Sequence, residues 1–152
     1  MAVKPIPDNY PQVTPYLCVD GADAAIAFYA TVFGATVRMR LDGPDGKVGH
    51  CELQLGTGVI MLSDEYPEMG ILGPTAIGGT PVTVSVYVND VDAVFAAAVA
   101  HGATEQRAVQ DQFYGDRSGQ FLDPWGHRWS VSTHIEDISP EEMERRAAQA
   151  AG

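Results

Sequence analysis

Apolar positions along this chain switch between a period of two and a helical period, and the whole succession occurs twice. Val13 to Val19 is β-rich, and Ala22, Ala25, Ile26, Tyr29, Val32 and Phe33 then fall on one face of a helix that Gly34 ends. Ala35 to Leu41 resumes as strand. The turn residues Asp42 to Gly46 lead into Val48 to Leu55, and Gly56-Thr57-Gly58 makes a tight connection to Val59 to Asp64. The order is β-α-β-β-β.

Tyr66 to Pro81 interrupts this pattern with Pro67, Gly70, Gly73, Pro74, Gly78 and Gly79 and reads as a linker or a flap. Then the order repeats. Pro81 to Val88 is a strand, and Val91, Val94, Phe95, Ala98 and Val99 form a helical stripe that stops at Gly102. Ala103 to Val109 is again a strand. Tyr114 to Leu122 and His127 to Thr133 form a hairpin around Asp123-Pro124-Trp125-Gly126. Ser139-Pro140-Glu141-Glu142 signals a capping box at the start of a polar, Ala-rich C-terminal helix suited to an edge or a dimer contact. The stretch Tyr16 to Thr36 thus returns in altered form as Ser85 to Thr104, with helices expected to begin near Asp20 and Asp90. The expected organisation is one domain, 1–152. It comprises a first module at 13–65, a linker at 66–80, a second module at 81–134 and a C-terminal helix at 135–152.

A net charge of −11 argues against nucleic acid or an anionic membrane as partner and weakly favours cationic ligands. The N-terminus lacks the apolar core of a signal peptide, and no apolar run is long enough to span a bilayer, so a cytoplasmic location is expected. Cys18 and Cys51 have neither CxxC spacing nor a disulfide framework. No GxGxxG, phosphate loop, nucleophile elbow or HExxH is present, which leaves nucleotide-cofactor and serine-hydrolase chemistry without support.

Strand alternation places His50, Glu52 and Gln54 on one face and Cys51, Leu53 and Leu55 on the other. His50 and Glu52 are close enough for the carboxylate to tune the imidazole as a general base, or else they belong to a solvated strand face. His134, followed by Glu136 and Asp137, reaches a cleft mouth or caps the C-terminal helix. His127 reads as a hairpin residue, and His101 as a cation at a helix C-terminus. Arg117 suits a ligand carboxylate or phosphate, or an acidic partner inside the fold. Tyr16, Tyr87, Tyr114, Trp125 and Phe121 line a cleft if their strands face inward, and Cys18 shares the strand face of Thr14 and Tyr16.

Two β-α-β-β-β modules with DPWGHRW (Asp123 to Trp129) at the last hairpin resemble the vicinal oxygen chelate superfamily of glyoxalase I, extradiol dioxygenases and bleomycin-resistance proteins. His50 to Glu65, Tyr114 to Trp129 and Thr133 to Arg146 are more narrowly similar to its PhnB-like glyoxalase/bleomycin-resistance branch. The resemblance implies an α+β chain of the glyoxalase/bleomycin-resistance/dihydroxybiphenyl dioxygenase fold. Its eight strands would form two sheets that curl around a cavity, usually in a homodimer.

In the metal-using members, residues from the first and last strand of each module hold a divalent ion. The matching positions here are Thr14, Met61, Thr83 and Ser130, and none is a good ligand. A one-residue shift finds only Val13, Pro15, Ile60, Leu62, Val82, Val84, Trp129 and Val131. The expected protein binds a small aromatic or cationic metabolite or antibiotic without metal or other cofactor, through Tyr16, Cys18, His50, Glu52, Met61, Thr83, Tyr87, Arg117, Phe121 and Ser130. The alternative is a lyase, isomerase or dioxygenase with a relocated site. There His50 and Glu52 act as base and acid, or hold a metal with His134.

Overall fold

A computed structural model of the protein describes residues 2–152. The chain divides into two compact units, Met1–Gly79 and Thr80–Gly152. In the first, β1 (Tyr16–Val19), α1 (Ala22–Phe33), β2 (Thr36–Asp42), β3 (Val48–Leu55) and β4 (Gly58–Asp64) build a four-stranded sheet in the order β1-β4-β3-β2. The first strand runs parallel to β4, and the others are antiparallel. Residues 66–79 of the Gly/Pro-rich segment belong to this unit, with a 3₁₀ turn at Pro67–Met69 and the short helix α2 (Pro74–Ile77).

The second unit repeats the plan with β5 (Thr83–Tyr87), α3 (Val91–Ala100), β6 (Thr104–Asp111), β7 (Asp116–Leu122) and β8 (Arg128–His134), in the order β5-β8-β7-β6. Helix α4 (Pro140–Ala150) follows. The eight strands and two matching sheets are those the repeat predicts. No helix among the described residues is long and apolar enough to cross a membrane.

Each sheet turns one face to its helix. Leu17, Val19, Cys51, Leu53, Ile60 and Leu62 are buried on the side that packs against Ala22, Ala25, Ile26 and Tyr29 of α1. In the second unit Phe121, Trp129 and Val131 are buried with Val91, Phe95 and Ala98 of α3, and the Phe95 and Phe121 rings meet edge to face at 5.8 Å. Gly119 permits that approach, since a Cβ there would stand 2.9 Å from the Phe95 ring and 2.8 Å from Val109.

Local signals set some boundaries differently from the expectation. The first strand begins at Tyr16 rather than Val13, because Pro15 has no N–H for a ladder; its carbonyl still accepts from the Met61 N–H at 3.0 Å. The hairpin strand begins at Asp116 rather than Tyr114, after a turn at Gly115. Asp90 caps α3 as expected, accepting from the Ala93 N–H at 3.1 Å. Asp20 does not cap α1. Asp64 does so from the end of β4, with Oδ1 accepting from the Gly21 and Ala22 N–H groups and Oδ2 from the Val48 N–H. Only half of the C-terminal capping box forms. The Ser139 hydroxyl accepts from the Glu142 N–H, while the Glu142 carboxylate pairs with Arg145 and Arg146.

Candidate functional site

On the face of the first sheet turned away from α1, Tyr16 of β1 pairs with Met61 of β4, and Met61 with Glu52 of β3. His50 lies on the same face, as its two-residue spacing from Glu52 requires. Leu41 pairs with His50 but Asp42 with Val48, so Gly49 is an extra residue that bulges β3 beside the site.

The side chains form a chain of hydrogen bonds. Tyr16 Oη lies 2.7 Å from His50 Nδ1, and His50 Nε2 lies 2.8 Å from Glu52 Oε2. The second oxygen of Glu52 accepts from the Tyr10 hydroxyl at 2.5 Å. Tyr10 reaches the sheet on a segment without regular structure. Arg38, an extra residue in β2, steadies that segment by donating to the Asn9 carbonyl at 2.6 Å with its guanidinium carbon 4.5 Å from the Tyr10 ring centroid.

Only 5% of Glu52 is exposed, yet hydrogen bonds from His50 and then Tyr10 hold its carboxyl below the ordinary range, outweighing the opposite pull of burial. An ionised carboxylate can only accept, so His50 Nε2 carries the hydrogen. In the neutral ring Nδ1 is then a lone pair, and Tyr16 donates to it. Burial of the Tyr16 hydroxyl pushes that phenol up, so Tyr16 is protonated at rest.

A cavity of about 430 Å³ opens beside this chain, lined by Tyr16, Gly49, Ser63, Tyr66, Met69 and Ile71. That size suits a small organic molecule. Three of its walls come from the segment that reads as a linker, folded back by paired hydrogen bonds between Tyr66 and Ile71. Gly49 leaves room for the cavity, and Ser63 donates to the Asp64 carbonyl at 3.0 Å. Cys18 is half-buried on the same open face. Burial pushes its thiol up to about 11, so it is not a thiolate, and it takes part in no disulfide.

The second unit gathers a different cluster at the end of its sheet. Asp116 accepts from the Tyr87 hydroxyl and pairs with His134 Nδ1, each at 2.8 Å, while His134 Nε2 meets Asp137 at 2.8 Å. These two carboxylates, Asp116 first, raise the His134 pKa above its ordinary value. Arg117 lies toward α3, bound to both Asp92 oxygens and to Asp111. Phe121 has no exposed surface and packs under α3. Both therefore stand away from the open face on which sequence reasoning placed ligand contacts. Thr83 and Ser130 are on that face; Tyr114 approaches Ser118 there at 3.4 Å. His101 closes α3 with Nδ1 on the Ala97 carbonyl.

The superfamily's metal donors find no match in chemistry. Thr14 precedes β1, and the residue beside Met61 is Tyr16; the residue beside Ser130 is Ser85. A phenol, a thioether and two serine hydroxyls are as poor a set for zinc, nickel, iron or manganese as the four positions read from sequence. Among the described residues, no three His, Cys, Asp or Glu side chains are grouped to hold a metal ion.

Residues 10–131 match the model of the Glyoxalase/Bleomycin resistance protein/Dioxygenase superfamily, and the chain belongs to that family. An uncharacterized protein of Mycobacterium tuberculosis H37Rv is 42% identical over 137 residues, covering 88% of this chain and 81% of its own. Among solved structures, protein PA1353 from Pseudomonas aeruginosa superposes with a TM-score of 0.69 at 25% identity, over 83% of this chain and 99% of that one. A PhnB protein from Bacillus cereus gives a TM-score of 0.65 at 17% identity, over 81% and 99%, and shares the fold.

Of the residues expected from sequence, His50, Glu52, Tyr16, Cys18 and Met61 lie on the open face of the first sheet. Tyr10, Ser63, Tyr66, Met69 and Ile71, which stand beside them or line the cavity, were not among those expected. Three of these lie in the Gly/Pro-rich segment, where an aromatic and two large apolar residues in a polar stretch were the available signal.

Proposed function

We propose that this is a glyoxalase/bleomycin-resistance-type protein that binds a small aromatic or cationic metabolite or antibiotic in the first unit without a metal at the superfamily's usual positions. The carrying observation is the cavity between Tyr16 and the Tyr66–Ile71 segment, with two aromatic rings and apolar walls beside one hydrogen-bonded polar chain. In this reading the protein is cytoplasmic, acts as a homodimer and belongs to the PhnB-like branch. Thr83, Tyr87 and Ser130 remain proposed contacts on the second open face.

The test is a thermal-shift and native mass-spectrometry screen of neutral aromatics and protonated amines against the parent and Gly49→Leu, whose new side chain fills the cavity. Hits on the parent that disappear in the variant support the reading. No hits, or hits indifferent to Gly49→Leu, overturn it. Elemental analysis of protein purified without chelator should show no stoichiometric transition metal.

The second reading, a lyase, isomerase or dioxygenase with a relocated site around His50 and Glu52, draws support from the Tyr16–His50–Glu52 chain. A carboxylate, an imidazole and a phenol in series are the parts of a proton-transfer device.

A further inference from the structure

We propose that Tyr16, and not His50 or Glu52, is the group that reacts with the ligand: a base whose oxygen takes a proton from a ligand O–H, or from a C–H beside a carbonyl, as its own proton passes to His50. This rests on the reading that the first-unit cavity binds a small molecule, and it assigns the chemistry of that site.

The assignment follows from which atoms are free. Both ring nitrogens of His50 are engaged, Nδ1 by Tyr16 and Nε2 by Glu52. Both oxygens of Glu52 are engaged as well, one by His50 and one by Tyr10. Neither residue lines the cavity, whereas Tyr16 does. Its hydroxyl hydrogen is committed to His50, so its oxygen offers the cavity a lone pair.

The transfer balances without a co-reactant. The ligand's O–H or C–H bond breaks with its electron pair staying on the ligand as an alkoxide or enolate, a bond forms between Tyr16 Oη and that hydrogen, and the original Tyr16 O–H bond breaks, its proton moving to His50 Nδ1. The resulting imidazolium keeps its Nε2 hydrogen on the Glu52 carboxylate, and Tyr16 is never a free phenolate. Reversal at a second ligand atom returns the proton and completes an isomerisation. Tyr10 is the positioning residue, holding Glu52 in the orientation that meets Nε2.

Benzenesulfonyl fluoride tests the relay without any cognate ligand. Attack by Tyr16 Oη forms an O–S bond, fluoride leaves, and the phenolic proton goes to His50. Rates are read for each of the six tyrosines by intact mass and peptide mapping. Tyr16 should label ahead of Tyr87, although Tyr87 is 69% exposed and Tyr16 53%. His50→Gln should slow Tyr16 roughly a hundredfold, the scale of lost general-base assistance, and leave Tyr87 unchanged. Tyr10→Phe should slow Tyr16 less and be milder than Glu52→Gln, with circular dichroism confirming that each variant is folded.

Labelling in order of exposure, or a Tyr16 rate that His50→Gln leaves within about twofold, overturns the proposal. A protein that labels at Tyr16 but yields no hits in the ligand screen keeps the relay and loses the binding reading. One that binds, loses binding in Gly49→Leu and labels by exposure alone keeps the binding and loses the relay.

Discussion

The two units share a plan and differ in what they place on it. Where the first sheet sets Tyr16, Met61 and Glu52 in a row, the second sets Ser85, Ser130 and Gln120; where the first has His50, the second has Ser118. On the helix side the correspondence is closer, with Leu53 and Ile60 answered by Phe121 and Trp129, all buried. A face that must exclude water constrains residue type tightly. The other face is held mainly by the ladder's backbone bonds, so its side chains are free to diverge into chemistry. The first unit has a graded chain from carboxylate to phenol beside a cavity. The second has a carboxylate–histidine–carboxylate clasp between its last strands and the residues before α4.

The largest expected effect probes the shared side. Trp129→Ala should cost about 3–5 kcal/mol by urea denaturation, and Ile60→Ala, at the matching place, about 2–4. Trp129 should be the costlier of the two because its indole N–H also donates to Asp123, a buried carboxylate that ties the Asp123–Gly126 turn. A smaller loss from Trp129 would mean that the second core is looser than its burial implies.

Next comes the way each helix is started. Asp64→Ala removes acceptors from three backbone N–H groups and should cost about 2–3 kcal/mol. Thr133→Ala removes the acceptor of the Val91 N–H but leaves the Asp90 cap, and should cost about 1 kcal/mol. Equal losses would refute a difference between the two helix starts.

The smallest effects distinguish the two polar clusters by sign. The folded pKa of Glu52 is depressed, so its stabilisation is present above the unfolded value near 4.5 and is lost as pH falls through the folded value. That of His134 is raised, so its contribution is complete below the unfolded value near 6.5 and is lost as pH rises through the folded one. Thermal melts across pH should therefore show Glu52→Gln flattening the acid limb and His134→Gln the limb above pH 6.5. If either substitution alters the opposite limb instead, the hydrogen-bond assignment at that cluster is wrong.

Much of this architecture was legible because its signals are local. Periods of two and 3.6, Gly34 and Gly102 as stops, Asp90 as a cap and Asp123–Gly126 as a turn are each decided within a few residues. The shared face of His50 and Glu52 was legible for the same reason. What escaped depends on register between distant strands. No periodicity says that Tyr16 rather than Thr14 stands beside Met61, or that Asp64 caps a helix 42 residues earlier. Aromatic content alone could not tell that Phe121 packs on the helix side, since a phenylalanine in a strand reads equally well on either side until the helix side is known. Arg117 went to Asp92 and Asp111 because a charge near two acidic residues needs no ligand to satisfy it.

The hydrogen bond from Tyr10 to Glu52 has a practical corollary for anyone handling the protein. Any change that draws the segment bearing Tyr10 away from the sheet, such as a substitution that displaces Asn9 from Arg38, is felt at the carboxylate behind His50. Activities of variants altered in that segment should therefore be compared with Glu52→Gln as well as with the parent.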